Sequence, residues 1–274
     1  MKAIVQSDYG ELDILKLRNV DQPIADDDEV LVRVRAASVH PDVWHVVRGQ
    51  PRMVRLMGAG FLRPEIRVPG TDLAGVLETV GKNVTRFRPG HDVFGEGVRG
   101  HQWHNGGAYA EYTAVPAAAL ALKPGNITFE QAAAVPTSAL TSHKGLHGEG
   151  GIQAGQRVLI NGAVGSPGTF AVQIATSYGA AVTAVDSTNK LEMLRGFGAE
   201  RVIDYTKDDF TRQGERYDLI LDVPGNRPLS DARNALTPKG TYALIGHERF
   251  GSSGGRWIGN STERFSRCSP SHRS

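Results

Sequence analysis

Up to about residue 120 the chain alternates short apolar runs with clusters of Pro, Gly and Asp, the spacing of a mostly β domain. Residues 29–35, 75–80 and 110–115 read as strands, and residues 1–5, MKAIV, open on another strand-like segment. In residues 84–94, VTRFRPGHDVF, a Pro-Gly turn precedes a returning strand, as expected where a small barrel turns a corner. Pro124 and Gly125 then break the pattern. Thr128 and Gln131 have capping-box spacing for a helix through the alanine-rich stretch, and this helix is expected to link two domains. Pro136 should end it, because the ring removes an N–H and crowds the preceding turn; a second helix is expected over about residues 138–146.

From residue 157 the pattern changes. Val158, Leu159 and Ile160 form the continuous apolar run of a buried strand, and a helix follows whose apolar face is read as Phe170, Val172, Ile174 and Ala175. Residues 182–185, 201–205, 217–223 and 240–245 repeat the strand pattern, with helical stretches between them, one starting near Asn189. Repeated β-α units of this length imply a parallel, doubly wound sheet, so the fold class is α/β.

Three glycines spaced G-x-x-G-x-x-G occupy the turn between the strand and helix of RVLINGAVGSPGTFAVQIA. Gly162 would allow the tight turn, Gly165 would let backbone N–H groups approach a pyrophosphate, and Gly168 would let the helix pack closely on the sheet. With 33 glycines in 274 residues such triplets arise by chance, so the flanking strand and helix carry the reading of a dinucleotide site. Pyrophosphate is expected on the backbone of Val164, Gly165, Ser166 and Pro167, where unpaired N–H groups and the helix dipole favour anions. Pro167 donates nothing, but its fixed φ suits a first helical turn. Asp186 closes the next strand, where an acidic residue binds a ribose 2′-hydroxyl, although a cap on the following helix explains an Asp there as well. Asp186 argues for NADH by repelling a 2′-phosphate, whereas Ser187, Thr188 and Lys190 are suited to embrace one, so the NAD(P)H choice stays open.

Composition narrows the class. With 40% hydrophobic and 22% charged residues, the chain has room for two soluble domains, and a net charge of +2 without basic runs interleaved with aromatics gives nucleic acid little support. No run approaches the roughly 18–20 apolar residues of a membrane span, and the start lacks signal-peptide architecture, so a cytoplasmic location is expected. Cys268 is the sole cysteine, which excludes an intrachain disulfide and a cysteine zinc knuckle. His101 and His104 read as a polar loop rather than a metal pair. Residues 251–274, mainly Ser, Gly and Arg, are expected to be irregular or disordered.

The segments MKAIVQSDYG, DDEVLVRVRAASVHPDVW, VPGTDLAGVLETVG, FRPGHDVFG, GGAYAEYTAV and AAAVPTSALTSHKGL, with the glycine loop, carry a more specific signal. From Met1 to about Trp257 the chain resembles the medium-chain dehydrogenase/reductase superfamily, and within it the zinc-independent quinone oxidoreductase-like reductases. The resemblance implies a GroES-like β-barrel domain over residues 1–123, a Rossmann NAD(P)-binding domain over 124–250 and a tail over 251–274, with the active site in the cleft between the domains. It implies reduction of quinones, enones or small carbonyls by hydride transfer from NAD(P)H. Zinc-dependent members use a Cys and a Gly-His-Glu motif where this chain has His40 and Gly70-Thr71-Asp72, so no metal is expected. After Gly259 the family pattern gives way to NSTERFSRCSPSHRS, which looks like a truncation or shifted frame that removes the last Rossmann strand and puts the family's usual homodimer in question.

By the same resemblance His40 and Asp42 line the nicotinamide pocket, Thr141 contacts the nicotinamide side, Tyr205 meets the adenosine end, and Val223 and Ile245 complete the cofactor set. Structural readings compete, with Asp42 as the cap of a helix over residues 43–47, His40 as a partner of backbone groups, and Thr141 as a back-bond to a helix carbonyl. Two other functions remain open, a zinc-type alcohol dehydrogenase and a non-catalytic dinucleotide-binding or crystallin-like protein.

Overall fold

A computed structural model describes residues 1–50, 52, 55–56, 60–97, 106–148 and 151–246. His101, His104, Cys268 and the tail over 251–274 lie outside the described residues. The chain divides into two compact units, Met1–Thr137 and Ser138–Ser274.

In the first unit, β1 (Lys2–Val5) pairs antiparallel with β2 (Lys16–Asn19). A five-stranded antiparallel sheet is built from β3 (Glu29–Ala37), β4 (Asp72–Val80), β5 (Asp92–Glu96), β6 (Tyr112–Pro116) and β7 (Leu120–Leu122), in the order β6-β3-β4-β5-β7. Val30, Val32, Leu73, Leu77, Val93 and Val115 pack together with Phe87 in its core. Helix α1 (Pro41–Arg48) follows β3 and ends at Gly49, whose φ of 58° supplies the left-handed stop. Helix α2 (Phe129–Ala133) has both halves of the Thr128/Gln131 capping box. It packs on β3, β4 and β5, with Ala132 and Ala133 against Ala74, so it belongs to this unit rather than linking two domains. Helix α3 (Pro136–His147) is the element that runs over the unit boundary; Pro136 opens it as well as closing α2, because a first-turn position has no N–H bond to lose.

The second unit is a parallel sheet of β8 (Arg157–Asn161), β9 (Ala181–Asp186), β10 (Arg201–Asp204), β11 (Tyr217–Asp222) and β12 (Leu236–Leu244), in the order β10-β9-β8-β11-β12. Helices α4 (Ser166–Ser177), α5 (Leu191–Gly196) and α6 (Leu229–Asn234) make three of its crossovers. Apolar residues cover both faces, as the continuous Val158-Leu159-Ile160 run requires. Val158 and Ile160 join a cluster with Ala171, Val172, Val182, Leu194 and Leu221, while Leu159 joins Val185, Ile203, Phe210, Ile220 and Tyr242.

Three sequence expectations change in detail. The buried stripe of α4 is Gly168, Ala171, Val172 and Ala175, at helical spacing; Phe170 and Ile174 are only half-buried, so the face is turned from the one expected. Strand β12 starts at Leu236, before the expected residue 240, since Pro238 is tolerated on a strand that pairs only with β11. The helix expected near Asn189 begins as a 3-10 turn, Thr188–Lys190, before α5. Among the described residues no helix is long and apolar enough to cross a membrane.

Candidate functional site

The order β10-β9-β8-β11-β12 reverses direction at β8, and open α/β sheets bind ligands beyond the carboxyl ends of their strands at such a switch point. The glycine turn sits there. Gly162 has φ 76°, and its N–H and that of Ala163 both donate to the Val185 carbonyl at 3.1 Å. A Cβ on Gly162 would meet Pro224 Cδ at 2.8 Å, and one on Gly168 would lie 2.2 Å from the Gly162 carbonyl oxygen. Both positions need glycine for the fold itself. Gly165 differs: it caps α4 at φ −60°, and a Cβ there would reach only ordinary contacts, 3.4 Å from Gly162 O and 3.9 Å from Val223 Cγ1. Glycine at this cap is not required by packing, and a helix N-terminus whose first N–H groups lack intrahelical acceptors suits the phosphates of a dinucleotide.

Strands β8, β9, β10 and β11 end in Asn161, Asp186, Asp204 and Asp222, and all four side chains are buried. Each carboxylate fixes part of the rim. Asp186 accepts the Val164 N–H at 2.9 Å through Oδ2 and the Ser187 N–H at 2.8 Å through Oδ1, with Lys190 Nζ 3.5 Å from Oδ1. Asp204 accepts the hydroxyls of Thr188 and Thr206 and the Thr206 N–H, and these bonds hold its carboxyl at about 2, well below the usual carboxylate range. Tyr205, next to it, is exposed, and its N–H donates to the Asp186 carbonyl at 3.2 Å.

Asp222 is fully buried and accepts Asn161 Nδ2 at 2.9 Å, the Gly225 N–H at 3.0 Å and the Tyr242 hydroxyl at 2.6 Å. Burial, then the Asp222 charge, pushes the Tyr242 hydroxyl far above its usual range. The network ties the loop after β11 to β8 and β12, placing Val223 beside the glycine turn; Val223 and Ile245 are half-buried at the same edge. Sequence reasoning missed Asp204 and Asp222. The signal was present, since each apolar strand of this sheet before β12 closes on an acid or amide.

In the first unit His40 is the N-cap of α1: its Nδ1 accepts the Asp42 N–H at 3.2 Å and lies 3.7 Å from the Asp42 carboxylate. The cap is therefore His40 rather than Asp42, and the helix begins at Pro41. Asp72, at the start of β4, is buried; Oδ2 accepts the Thr137 N–H at 2.9 Å, and Oδ1 accepts the hydroxyls of Thr137 at 2.6 Å and Thr71 at 3.2 Å. Burial, then the Asp72 charge, pushes the Tyr109 hydroxyl up to about 12. Thr141 is half-buried on α3, and a back-bond to a helix carbonyl is found at its neighbour: Ser142 Oγ lies 2.8 Å from the Ser138 carbonyl and 2.5 Å from the Pro167 carbonyl.

Residues 26–125 match the alcohol dehydrogenase GroES-like domain, and residues 168–255 match the zinc-binding dehydrogenase domain. The chain belongs to the medium-chain dehydrogenase/reductase superfamily, among its quinone oxidoreductase-like members. It is 37% identical over 232 residues to the 2-methylene-furan-3-one reductase of Solanum lycopersicum, covering 82% of this chain and 57% of that protein. The match to the chloroplastic NADPH-dependent alkenal/one oxidoreductase of Arabidopsis thaliana is 38% over 232 residues, covering 82% and 58%. Among solved structures, the quinone oxidoreductase from Coxiella burnetii superposes with a TM-score of 0.77 at 26% identity, covering 90% of this chain and 75% of that one. The chain thus spans under three fifths of the length of the two plant relatives.

Part of this superfamily carries zinc, and the donor set here answers whether that ion has a seat. Both oxygens of Asp72 are engaged by Thr137 and Thr71, Thr71 offers only a hydroxyl, and His40 Nδ1 takes a backbone N–H. Among the described residues no group of three or more His, Cys, Asp or Glu side chains is placed to hold a metal. These residues do not fit a zinc centre of three or four N, S or carboxylate ligands.

Proposed function

We propose that this chain is an NAD(P)H-dependent oxidoreductase that reduces quinones, enones or small carbonyls by hydride transfer without zinc. The observation that carries the reading is the glycine turn itself, which sets the N-terminus of α4 at the sheet's switch point with Gly165 as a cap that packing alone does not require to be glycine. Similarity to an alkenal/one oxidoreductase and to a quinone oxidoreductase supports the substrate class.

The pyrophosphate is assigned to the turn over Gly162, Val164, Gly165, Ser166, Pro167 and Gly168. Ser166 and Gly168 are its backbone donors, since Pro167 has no N–H and the Val164 N–H is held by Asp186. The adenosine end is assigned to Asp186, Ser187, Thr188, Lys190 and Tyr205, with Val223 and Ile245 flanking the nicotinamide side. A dihydronicotinamide bound there supplies the hydride. Negative charge then develops on the substrate oxygen, and a positioned donor stabilises it. His40 is suited to donate that hydrogen bond, because with Nδ1 accepting the Asp42 N–H the neutral ring carries its proton on Nε2. Asp42 and Thr141 complete the residues assigned to nicotinamide and substrate.

Oxidation of NADPH and NADH followed at 340 nm against enones, quinones and saturated aldehydes, with and without a chelator, tests the proposal. Turnover of an enone or quinone that survives chelation is expected. Turnover of none, or activity lost to the chelator and restored by zinc, contradicts it.

A further inference from the structure

Asp186, Asp204 and Asp222 close three strands of the parallel sheet and differ in what balances their charge. Asp186 Oδ1 lies 3.5 Å from Lys190 Nζ, and Asp204 Oδ2 lies 3.4 Å from Lys207 Nζ. Asp222 is fully buried and makes no ion pair among the described residues. Neutral groups fill its acceptors: Oδ1 takes Asn161 Nδ2 at 2.9 Å and the Gly225 N–H at 3.0 Å, and Oδ2 takes the Tyr242 hydroxyl at 2.6 Å. With its hydroxyl pushed far above the usual range, Tyr242 keeps its proton and the negative charge stays on Asp222. A buried carboxylate without a countercharge costs the fold stability, which a nearby cation would restore.

Backbone bonds fix where that charge sits. The Val223 N–H donates to the Asn161 carbonyl at 3.0 Å and the Ile245 N–H to the Asp222 carbonyl at 2.9 Å, so Asp222 is held between the glycine turn after β8 and the end of β12. A dinucleotide whose pyrophosphate meets that turn spans the switch point; with adenosine over β9 and β10, its nicotinamide falls on the side of β11 and β12. We propose that Asp222 biases the redox state of the bound cofactor: its unpaired charge favours the oxidised, positively charged nicotinamide over the neutral dihydronicotinamide. The inference rests on the reading of Gly162 to Gly168 as a nucleotide loop. Hydride transfer to an enone breaks the cofactor C4–H bond and makes a C–H bond at the substrate β-carbon, both electrons moving with the hydrogen. The substrate oxygen then takes a proton from solvent, and the oxidised ring is left positive. In surroundings of low dielectric the Asp222 field favours that transfer and retains the oxidised product.

The test measures Kd for NADP+, NADPH, NAD+ and NADH by titration calorimetry on the full chain, on Asp222→Asn, on Tyr242→Phe and on the double variant. Asp222→Asn should lower affinity for the oxidised form relative to the reduced form by about tenfold. The factor should be the same for both dinucleotide pairs, because they share the ring. Tyr242→Phe keeps the charge and should leave the ratio within about twofold of the native value. The double variant, which removes the hydroxyl left facing an amide, should show the full shift and is the reporter if Asp222→Asn does not fold. A ratio unchanged once the charge is removed, or moved as far by Tyr242→Phe, overturns the proposal and leaves the nucleotide site standing. A native chain that binds none of the four dinucleotides defeats the reading of the loop, and the proposal with it.

Discussion

Thr137 donates both its backbone N–H and its hydroxyl to the buried carboxylate of Asp72, at 2.9 and 2.6 Å. A strand residue of the first sheet thereby satisfies the first turn of α3, whose N–H groups have no intrahelical acceptor. The pair is separated by 65 positions in sequence, so neither residue announces the other. Asp72→Asn places an amide N–H against one of these donors and should destabilise the protein by about 1–3 kcal/mol. Thr137→Val, which removes only the hydroxyl, should cost less. Urea midpoints of the two variants check the order.

Gly168 is required by packing. A Cβ there would lie 2.2 Å from the Gly162 carbonyl oxygen, so Gly168→Ala should cost about 1–3 kcal/mol and several degrees of Tm, although alanine is the better helix former. Calorimetric Tm tests this; an unchanged Tm would mean that α4 does not seat on the turn as described.

Much of the second unit is legible in the sequence because its strands are continuous apolar runs. Val158 to Ile160 can only be buried on both faces, and the sheet duly covers both. The phase of α4 is easily misread because Phe170 carries a stronger apolar signal than Ala171, yet Ala171 fits where a helix must lie close to a sheet. Strand β12 reads too short because Pro238 and Gly240 look like a turn, a reading that holds for interior strands but not at an edge. The glycine loop is legible from spacing and flanks. Asp204 and Asp222 are marked in the sequence only by closing apolar strands; what they bind is not, since their partners Thr188, Asn161 and Tyr242 come from other strands and turns.

Asp204 gives a pH dependence with a defined sign. Its carboxyl sits at about 2 in the folded protein against 3.8 as the reference value, owing first to the Thr188 hydroxyl and then to that of Thr206. A depressed carboxyl stabilises the folded state fully above the unfolded pKa, and the contribution disappears as pH falls through the folded one. The difference in urea midpoint between the native protein and Asp204→Asn should therefore be constant from pH 7 to about pH 5 and shrink between about pH 4 and pH 2. A difference independent of pH across that window contradicts the assignment.

His40 is both the cap of α1 and the proposed donor to the substrate oxygen, and the two roles separate in one substitution. Asparagine is a strong N-cap, so His40→Asn should keep stability within about 1 kcal/mol. It removes the imidazole, and kcat for an enone or quinone should fall by about tenfold or more. Unchanged kcat would leave His40 with the cap alone.

Gly165 tests the central claim, that the glycine turn at the switch point exists to hold a dinucleotide. The fold has room for a Cβ there, with nearest contacts of 3.4 and 3.9 Å, so Gly165→Ala should stay within about 1 kcal/mol of the native stability. Titration calorimetry with NADPH and NADH on the native protein and Gly165→Ala should give saturable binding to the native protein, and affinity weaker by about tenfold or more in the variant. No binding to the native protein, or equal affinity in both, would contradict the account.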